Sequence, residues 1–287
     1  YNDLLPFNYL IGKALIENGN VKLEEREIEE LLRCHANISY PDFIESTFKD
    51  IYFTDEENHW LDIVLTNIRW MTDPYKQAIA YFALFQSCII KRPYNLFHRR
   101  NLYVRLQDVE RSFGNKKTWD TPFEVHFRKF VREANNAVFD NGTCCRAMNN
   151  DVFNILPHHD LVYIDTPYLN DAGVGVDYAD FYHFLNGIVN YDRWDSLIDY
   201  NSKHLRLRRQ FNEWNDASLI RNAFVRLFTL FQDSVMVISY RSNGIPAIEE
   251  LVGILRELNK EVRIHRGVEM KYALSKRQSS EVLIIAR

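Results

Sequence analysis

Glycine is scarce: the chain has ten in 287 residues, where ordinary usage of about 7% would give about twenty. So few glycines leave little material for the tight loops whose bare backbone cradles phosphates. Long apolar runs are missing as well. The best, residues 78–90, is interrupted by Gln86 and Ser87 and falls short of the roughly 18 residues of a membrane span. Nothing at the N-terminus reads as a signal peptide, so a cytoplasmic protein with no membrane partner is expected. Cysteine is limited to Cys34, Cys88, Cys144 and Cys145, without metal-ligand spacing. No metal site is expected, and the four read as reduced, buried thiols, Cys144 and Cys145 in a strand-like stretch. Basic excess is also lacking: 35 Lys and Arg against 39 Asp and Glu give a net charge of −4. That argues weakly against a nucleic-acid partner.

The charge is nevertheless uneven. Glu24, Glu25, Glu27, Glu29 and Glu30 crowd one short stretch. Residues 91–117 carry Lys91, Arg92, Arg99, Arg100, Arg105, Arg111, Lys116 and Lys117 against Asp108 and Glu110. Local basic surface of that kind can hold a phosphate backbone whatever the global sum. A second basic stretch, Lys203 to Arg209, reads by itself as a solvated face. Among the basic residues of the first stretch lie Tyr94, Phe97 and Tyr103, expected to anchor an irregular loop to the core. Hydrophobic residues at 46% and charged residues at 26% match an ordinary globular protein of one large domain, or a catalytic domain with an insertion.

Apolar spacing predicts helices over residues 4–17, 23–35, 55–71, 74–91 and 122–139. Beyond them the pattern alternates. Strands are expected at 143–148, 161–165, 235–240, 262–267 and 281–286, and helices at 178–191, 216–231 and 247–258. Such alternation means a mostly parallel sheet covered by helices, and two final strands without a helix between them suggest an antiparallel edge pair.

Asp165-Thr166-Pro167-Tyr168 follows the apolar run Leu161-Val162-Tyr163-Ile164. A short β-branched run ending in an acid describes a buried strand with polar chemistry at its carboxyl end, where open α/β sheets bind ligands. Pro167 pushes the Thr166 backbone to the extended region and fixes its carbonyl direction. Asp165 and that carbonyl could accept the two hydrogens of an amino group on a planar ring, with Tyr168 stacked on its face. Adenine turned out of a duplex fits. On the tetrapeptide alone, a plain strand-to-loop turn, with Asp165 capping a backbone amide, is an equal reading.

The segment resembles the Asp-Pro-Pro-Tyr motif of N6-adenine DNA methyltransferases, with Thr166 in place of the first proline. The stretches Asp177 to Leu185, Ile238 to Pro246, Lys271 to Lys276 and Ser279 to Ile285 resemble later blocks of the Dam-like (alpha) group, in the family's order. The resemblance runs from Asn2 to the end. It implies a Rossmann-like α/β catalytic domain over 1–35 and 141–287, with a helical DNA-recognition insert over 36–140. It also implies S-adenosylmethionine as methyl donor, with Asp3 at its ribose and Asp151 at its adenine. Asp165 is counted with the cofactor as well as with catalysis by Asp165, Thr166, Pro167 and Tyr168. In the insert, Arg92, Arg99, Arg100 and Arg105 are the expected contacts to double-stranded DNA. A restriction endonuclease acting on the same site is an expected partner.

One departure stands out. The family's glycine-rich cofactor loop should precede the ribose acid, and residues 1–287 do not contain it. The resembled fold places its first strand centrally, so an N-terminal segment of the natural protein or another chain is expected to supply it. Other readings stay open: a cytosine-N4 methyltransferase, disfavoured by Asp at 165; a catalytically silent DNA-binding subunit of a methyltransferase or restriction complex; and a generic nucleotide-binding domain.

Overall fold

The computed structural model describes residues 1–109, 116–170, 173, 175, 177–270 and 279–287. Arg111 and the Lys271 to Lys276 block lie outside the described residues. Internal contacts divide the chain into two units. One holds Tyr1–Asn150 and Ala179–Arg208, the other Asp151–Tyr178 and Arg209–Arg287. The packing boundary therefore does not follow the expected division at 35 and 141, since residues 36–140 share a unit with 1–35.

The first unit is helical: α1 (Pro6–Gly12), α2 (Glu25–Leu32), α3 (Phe43–Thr47), α4 (Asp55–Arg69), α5 (Pro74–Ile90), α6 (Leu102–Leu106), α7 (Lys116–Asp120) and α8 (Phe123–Ala137). Local chemistry sets the starts. Thr54 and Glu57 form a capping box on α4, satisfying two orphan amides reciprocally. Asp73 accepts from the Tyr75 and Lys76 amides, and Pro74 occupies the first turn of α5, where its missing N–H costs nothing. α5 is apolar nearly all round and buried, the signature of a central helix. α8 buries Phe123, Phe127, Phe130, Val131 and Ala134, one helical face, and packs on α5. The helix expected over 4–17 exists, but continues past Gly12 as a π-helical turn, Lys13–Glu17.

The strand expected at 143–148 does not form. Asp140 accepts from the Gly142 amide, Asn141 from the Thr143 amide, and the Glu17 carboxylate takes the Ala147 amide. Short polar side chains thus capture backbone groups a strand would need. What remains is a parallel bridge between Asn2 and Met148. The thiols differ from expectation too. All four are free, but only Cys88 is buried; Cys34 and Cys144 are exposed, because one lies beyond the end of α2 and the other in this turn-rich stretch.

In the second unit, β1 (Leu161–Ile164), β3 (Val235–Arg241), β5 (Val262–Met270) and β6 (Ser279–Ala286) form a sheet in the order β1-β3-β6-β5. A short antiparallel pair joins β2 (Leu169–Asn170) to β4 (Gly244–Ile245). β1 and β3 are parallel, and β6 is antiparallel to both β3 and β5, as the missing final helix implied. The fold is mixed α/β with a mixed sheet. β3 alternates strictly, burying Met236, Ile238 and Tyr240. Among the described residues, β1 has a strand neighbour on one side only.

Between the sheet strands the chain forms α9 (Tyr178–Phe181), α10 (His183–Val189), α11 (Trp194–Leu197), α12 (Ile220–Leu230) and α13 (Ile248–Glu257). The expected helix over 178–191 breaks at Tyr182, because the Phe181 carbonyl accepts from the Phe97 amide at 2.9 Å instead of serving the helix. The helix expected from Asp216 starts at Ile220, since the Asp216 carboxylate first captures the Ser218 amide and hydroxyl. α12 and α13 bury Phe224, Leu227, Phe228, Leu251 and Leu255 in the core shared with β3 and β6.

Candidate active site

Parallel β1 and β3 end side by side, Ile164 opposite Ile238, and the chain leaves β1 into Asp165. β2 then ties the departing chain to β4. Asp165 is exposed, and among the described residues no donor reaches its carboxylate. Local desolvation, then the Glu281 charge, hold its pKa above the ordinary carboxylate value. Both acids belong to one edge, since Glu281 of β6 stands opposite Arg241, the last residue of β3. The Thr166 hydroxyl is buried with no hydrogen-bond partner among the described residues, an uncommon state for a polar atom.

Tyr168 is held from one side by the end of β3. Its ring meets that of Tyr240 edge-on, with centroids 5.8 Å apart at 73°. The Arg241 guanidinium lies 5.4 Å from the Tyr168 ring centroid, and its Nε donates to Asn243 Oδ1 at 2.8 Å. Tyr240 is buried and donates its hydroxyl to the Pro246 carbonyl at 2.7 Å. Gly244 makes room for it: a Cβ there would stand 2.7 Å from the Tyr240 ring. The block Ile238 to Pro246 was visible in the sequence, but no spacing rule tells which of its residues supports Tyr168.

The two further acids act locally as caps. Asp3 accepts from the Leu5 amide at 2.7 Å and from Asn8 Nδ2 at 2.9 Å, ahead of α1. Asp151 accepts from the Phe153 amide at 3.0 Å and opens a 3-10 turn, Val152–Asn154. Phe153 stacks on Trp214, centroids 6.3 Å apart at 9°, with the Arg226 guanidinium 3.8 Å from its ring centre. Asp3 follows the bridge between Asn2 and Met148, and Asp151 follows the second strand of that bridge by three residues.

Of the four arginines expected to meet DNA, the structure removes two. Arg92 is 1% exposed and donates to the carbonyls of Tyr52, Leu96 and Arg99 and to Asn101. Burial pushes its pKa down to about 9, still a cation at neutral pH, with the Tyr52 ring 4.4 Å from its guanidinium carbon. Arg105 is 4% exposed and makes a two-pronged pair with Glu57 at 2.9 and 2.7 Å. No phosphate can reach either; they are internal struts. Arg99 and Arg100 are exposed, Arg100 donating Nε to the Asp50 carbonyl at 3.0 Å. The aromatics divide too: Phe97 is buried as expected, whereas Tyr94 and Tyr103 are exposed.

Comparison with known proteins finds similar chains that are named as methyltransferases. The chain is 29% identical over 272 residues to the type II methyltransferase M2.HphI of Haemophilus parahaemolyticus, covering 92% of this chain and 75% of that protein. It is 25% identical over 306 residues to the type II methyltransferase M.FokI of Planomicrobium okeanokoites, covering 98% of this chain but 43% of the relative. Identity to the modification methylase StsI of Streptococcus sanguinis is 25% over 285 residues, 90% of this chain and 39% of the relative. The chain thus spans less than half of the latter two. No family model and no solved structure matches it. No described helix is long and apolar enough to cross a membrane.

Proposed function

We propose that the chain is the catalytic part of an S-adenosylmethionine-dependent DNA adenine-N6 methyltransferase on a Rossmann-like sheet, the modification partner of a restriction endonuclease acting on the same site. The observation that carries this reading is the Asp165 carboxylate at the carboxyl end of β1, without a donor among the described residues, followed after Thr166 and Pro167 by a ring held by Tyr240 and Arg241. Similarity to methyltransferases over nine-tenths of the chain supports it.

Asp165 and the Thr166 carbonyl accept the two hydrogens of the target amine. Their negative charge draws the nitrogen lone pair out of conjugation and stabilises positive charge as it develops. Tyr168 stacks on the flipped base and offsets part of the unstacking cost. The Thr166 hydroxyl, buried and without a partner among the described residues, is a further polar group that a bound molecule could satisfy. Arg99 and Arg100 meet phosphates.

The cofactor supplies the methyl group. Its adenine and ribose call for acceptors, and exposed Asp151, beside the Phe153 ring, fits the first. Asp3 fits the second less well, because both its oxygens already accept hydrogen bonds; Leu5 and Asn8 would have to yield one of them. Titration of S-adenosylmethionine into the parent and Asp151→Ala proteins tests this. Binding weakened at least about tenfold supports the assignment, and equal binding removes Asp151 from the cofactor site.

A further inference from the structure

Arg92 and Arg105 reach the same atom. The Tyr52 carbonyl oxygen accepts from Nη1 of each, at 3.0 Å in both cases. The chain between them is therefore tied at both ends, through these side chains, to one point of the interior. Several of its carbonyls are taken from the inside. Arg92 also holds the Leu96 and Arg99 carbonyls, at 3.3 and 3.1 Å. Phe97 fills the middle at 0% exposure, its carbonyl accepting from the Tyr52 hydroxyl at 2.8 Å and its ring stacked on Phe184 at 5.2 Å and 6°.

The outside is of another composition. Arg99 and Arg100 are exposed, Tyr94 is 44% exposed and Tyr103 62%. Tyr94 and Asn95 sit at φ 61° and 58°, in the left-handed region that side chains disfavour. Strained backbone of this kind persists where the surroundings enforce it and tends to mark binding sites. The buried arginines supply that enforcement. A single exposed tyrosine needs no explanation. Two of them with two arginines, on one rigidly closed loop, have the make-up of a surface that reads nucleic acid.

We propose that the loop from Pro93 to Val104 is the base-contacting element of the DNA interface, with Tyr94 and Tyr103 packing their rings against bases while Arg99 and Arg100 hold phosphates. The proposal rests on the function above, because it takes duplex DNA as the ligand. It gives Tyr94 and Tyr103, expected from the sequence to anchor the loop, a role at the bases instead. Arg92 and Arg105 are its positioning residues.

The test uses two fluorescein-labelled duplexes. One contains the site found by sequencing DNA that the protein has methylated; the other is of unrelated sequence. Tyr94→Ala and Tyr103→Ala should each weaken binding to the site duplex at least about fivefold, the lower end of what one specific base-edge contact contributes. Binding to the unrelated duplex should change much less, with the slope of affinity against salt as in the parent. Tyr103→Phe should restore most of the affinity. Equal binding by parent and alanine variants, or equal loss on both duplexes, overturns the proposal. If the parent methylates DNA while that happens, the proposal fails and the methyltransferase reading survives. If the parent neither methylates nor binds either duplex, both fail.

Discussion

At the scale of single residues, Asp165 carries the account. It is an acid left without a donor among the described residues at the end of a parallel strand, with its pKa raised by desolvation and by Glu281. If it accepts the target amine, Asp165→Ala should lower the rate of methyl transfer about 100- to 1,000-fold, the usual cost of losing one such charge-stabilising group. Duplex binding should survive. A variant within threefold of the parent would remove Asp165 from catalysis. Tyr168→Ala should cost less, and most on perfectly paired duplex, because stacking assists flipping; equal loss on mismatched targets would count against that role.

The raised pKa has a sign. Asp165 works as a carboxylate, so activity should fall in acid from a higher pH than an ordinary aspartate, near 3.9, would give. Glu281→Gln removes one of the two causes and should move that acid limb to lower pH; an unmoved or raised limb would contradict the arrangement. Stability runs the other way. A carboxyl whose folded pKa is raised stabilises the fold below its unfolded pKa, and that contribution is lost as pH rises through the folded value. Asp165→Asn should therefore raise the melting temperature at neutral pH while lowering activity.

At the scale of elements, a buried charge cluster joins α4, Lys91 and α6 in the first unit. Glu57 Oε1 meets Lys91 at 2.8 Å and Arg105 at 2.7 Å, with both cations almost wholly buried. Burial works to raise the Glu57 pKa, but Arg105 and then Lys91 outweigh it and the net shift is downward. Lys91 moves down as well, by burial, so the cluster holds Glu57 better than it holds Lys91. Glu57→Gln leaves two buried cations unbalanced and should cost about 3–5 kcal/mol, read from urea unfolding. Because the Glu57 pKa is depressed, its contribution is present above its unfolded value and lost as pH falls through the folded one. The gap between parent and variant should therefore close in acid, and a constant gap would argue for packing instead of charge.

Elements with a single dominant signal were legible in the sequence. Pro74 after Asp73 announced α5, the β-branched run 161–164 announced β1, and the final pair of strands announced its antiparallel order. The failures share a cause. Residues 143–148 look like a strand until Asn141 and Glu17 take the amides of Thr143 and Ala147, and Arg92 and Arg105 look like surface until their acceptors are seen to lie inside. Partner choice across many residues decides such cases, and periodicity carries no information about it. Asp165 through Tyr168 were legible as chemistry; Tyr240, Arg241 and Glu281, which tune them, became identifiable only through the pairing of β1, β3 and β6.

At the scale of the whole molecule, two units carry separate tasks in the proposed function: the helical unit presents the basic loop, and the sheet unit the acid and the stacking ring. In the sheet, β3 and β6 have neighbours on both sides, whereas β1 has one among the described residues. Hydrogen exchange should therefore protect β3 and β6 amides more than those of β1 that face away from β3. Uniform protection along β1 would mean that a further segment pairs with it.

The central claim is the identity of the methylated atom. The protein should be incubated with DNA and S-adenosylmethionine carrying a labelled methyl group, and the DNA digested to nucleosides and analysed by mass spectrometry. The account predicts label in N6-methyladenine, and none above background with Asp165→Ala. Label in N4-methylcytosine, or an Asp165→Ala protein as active as the parent, would contradict it.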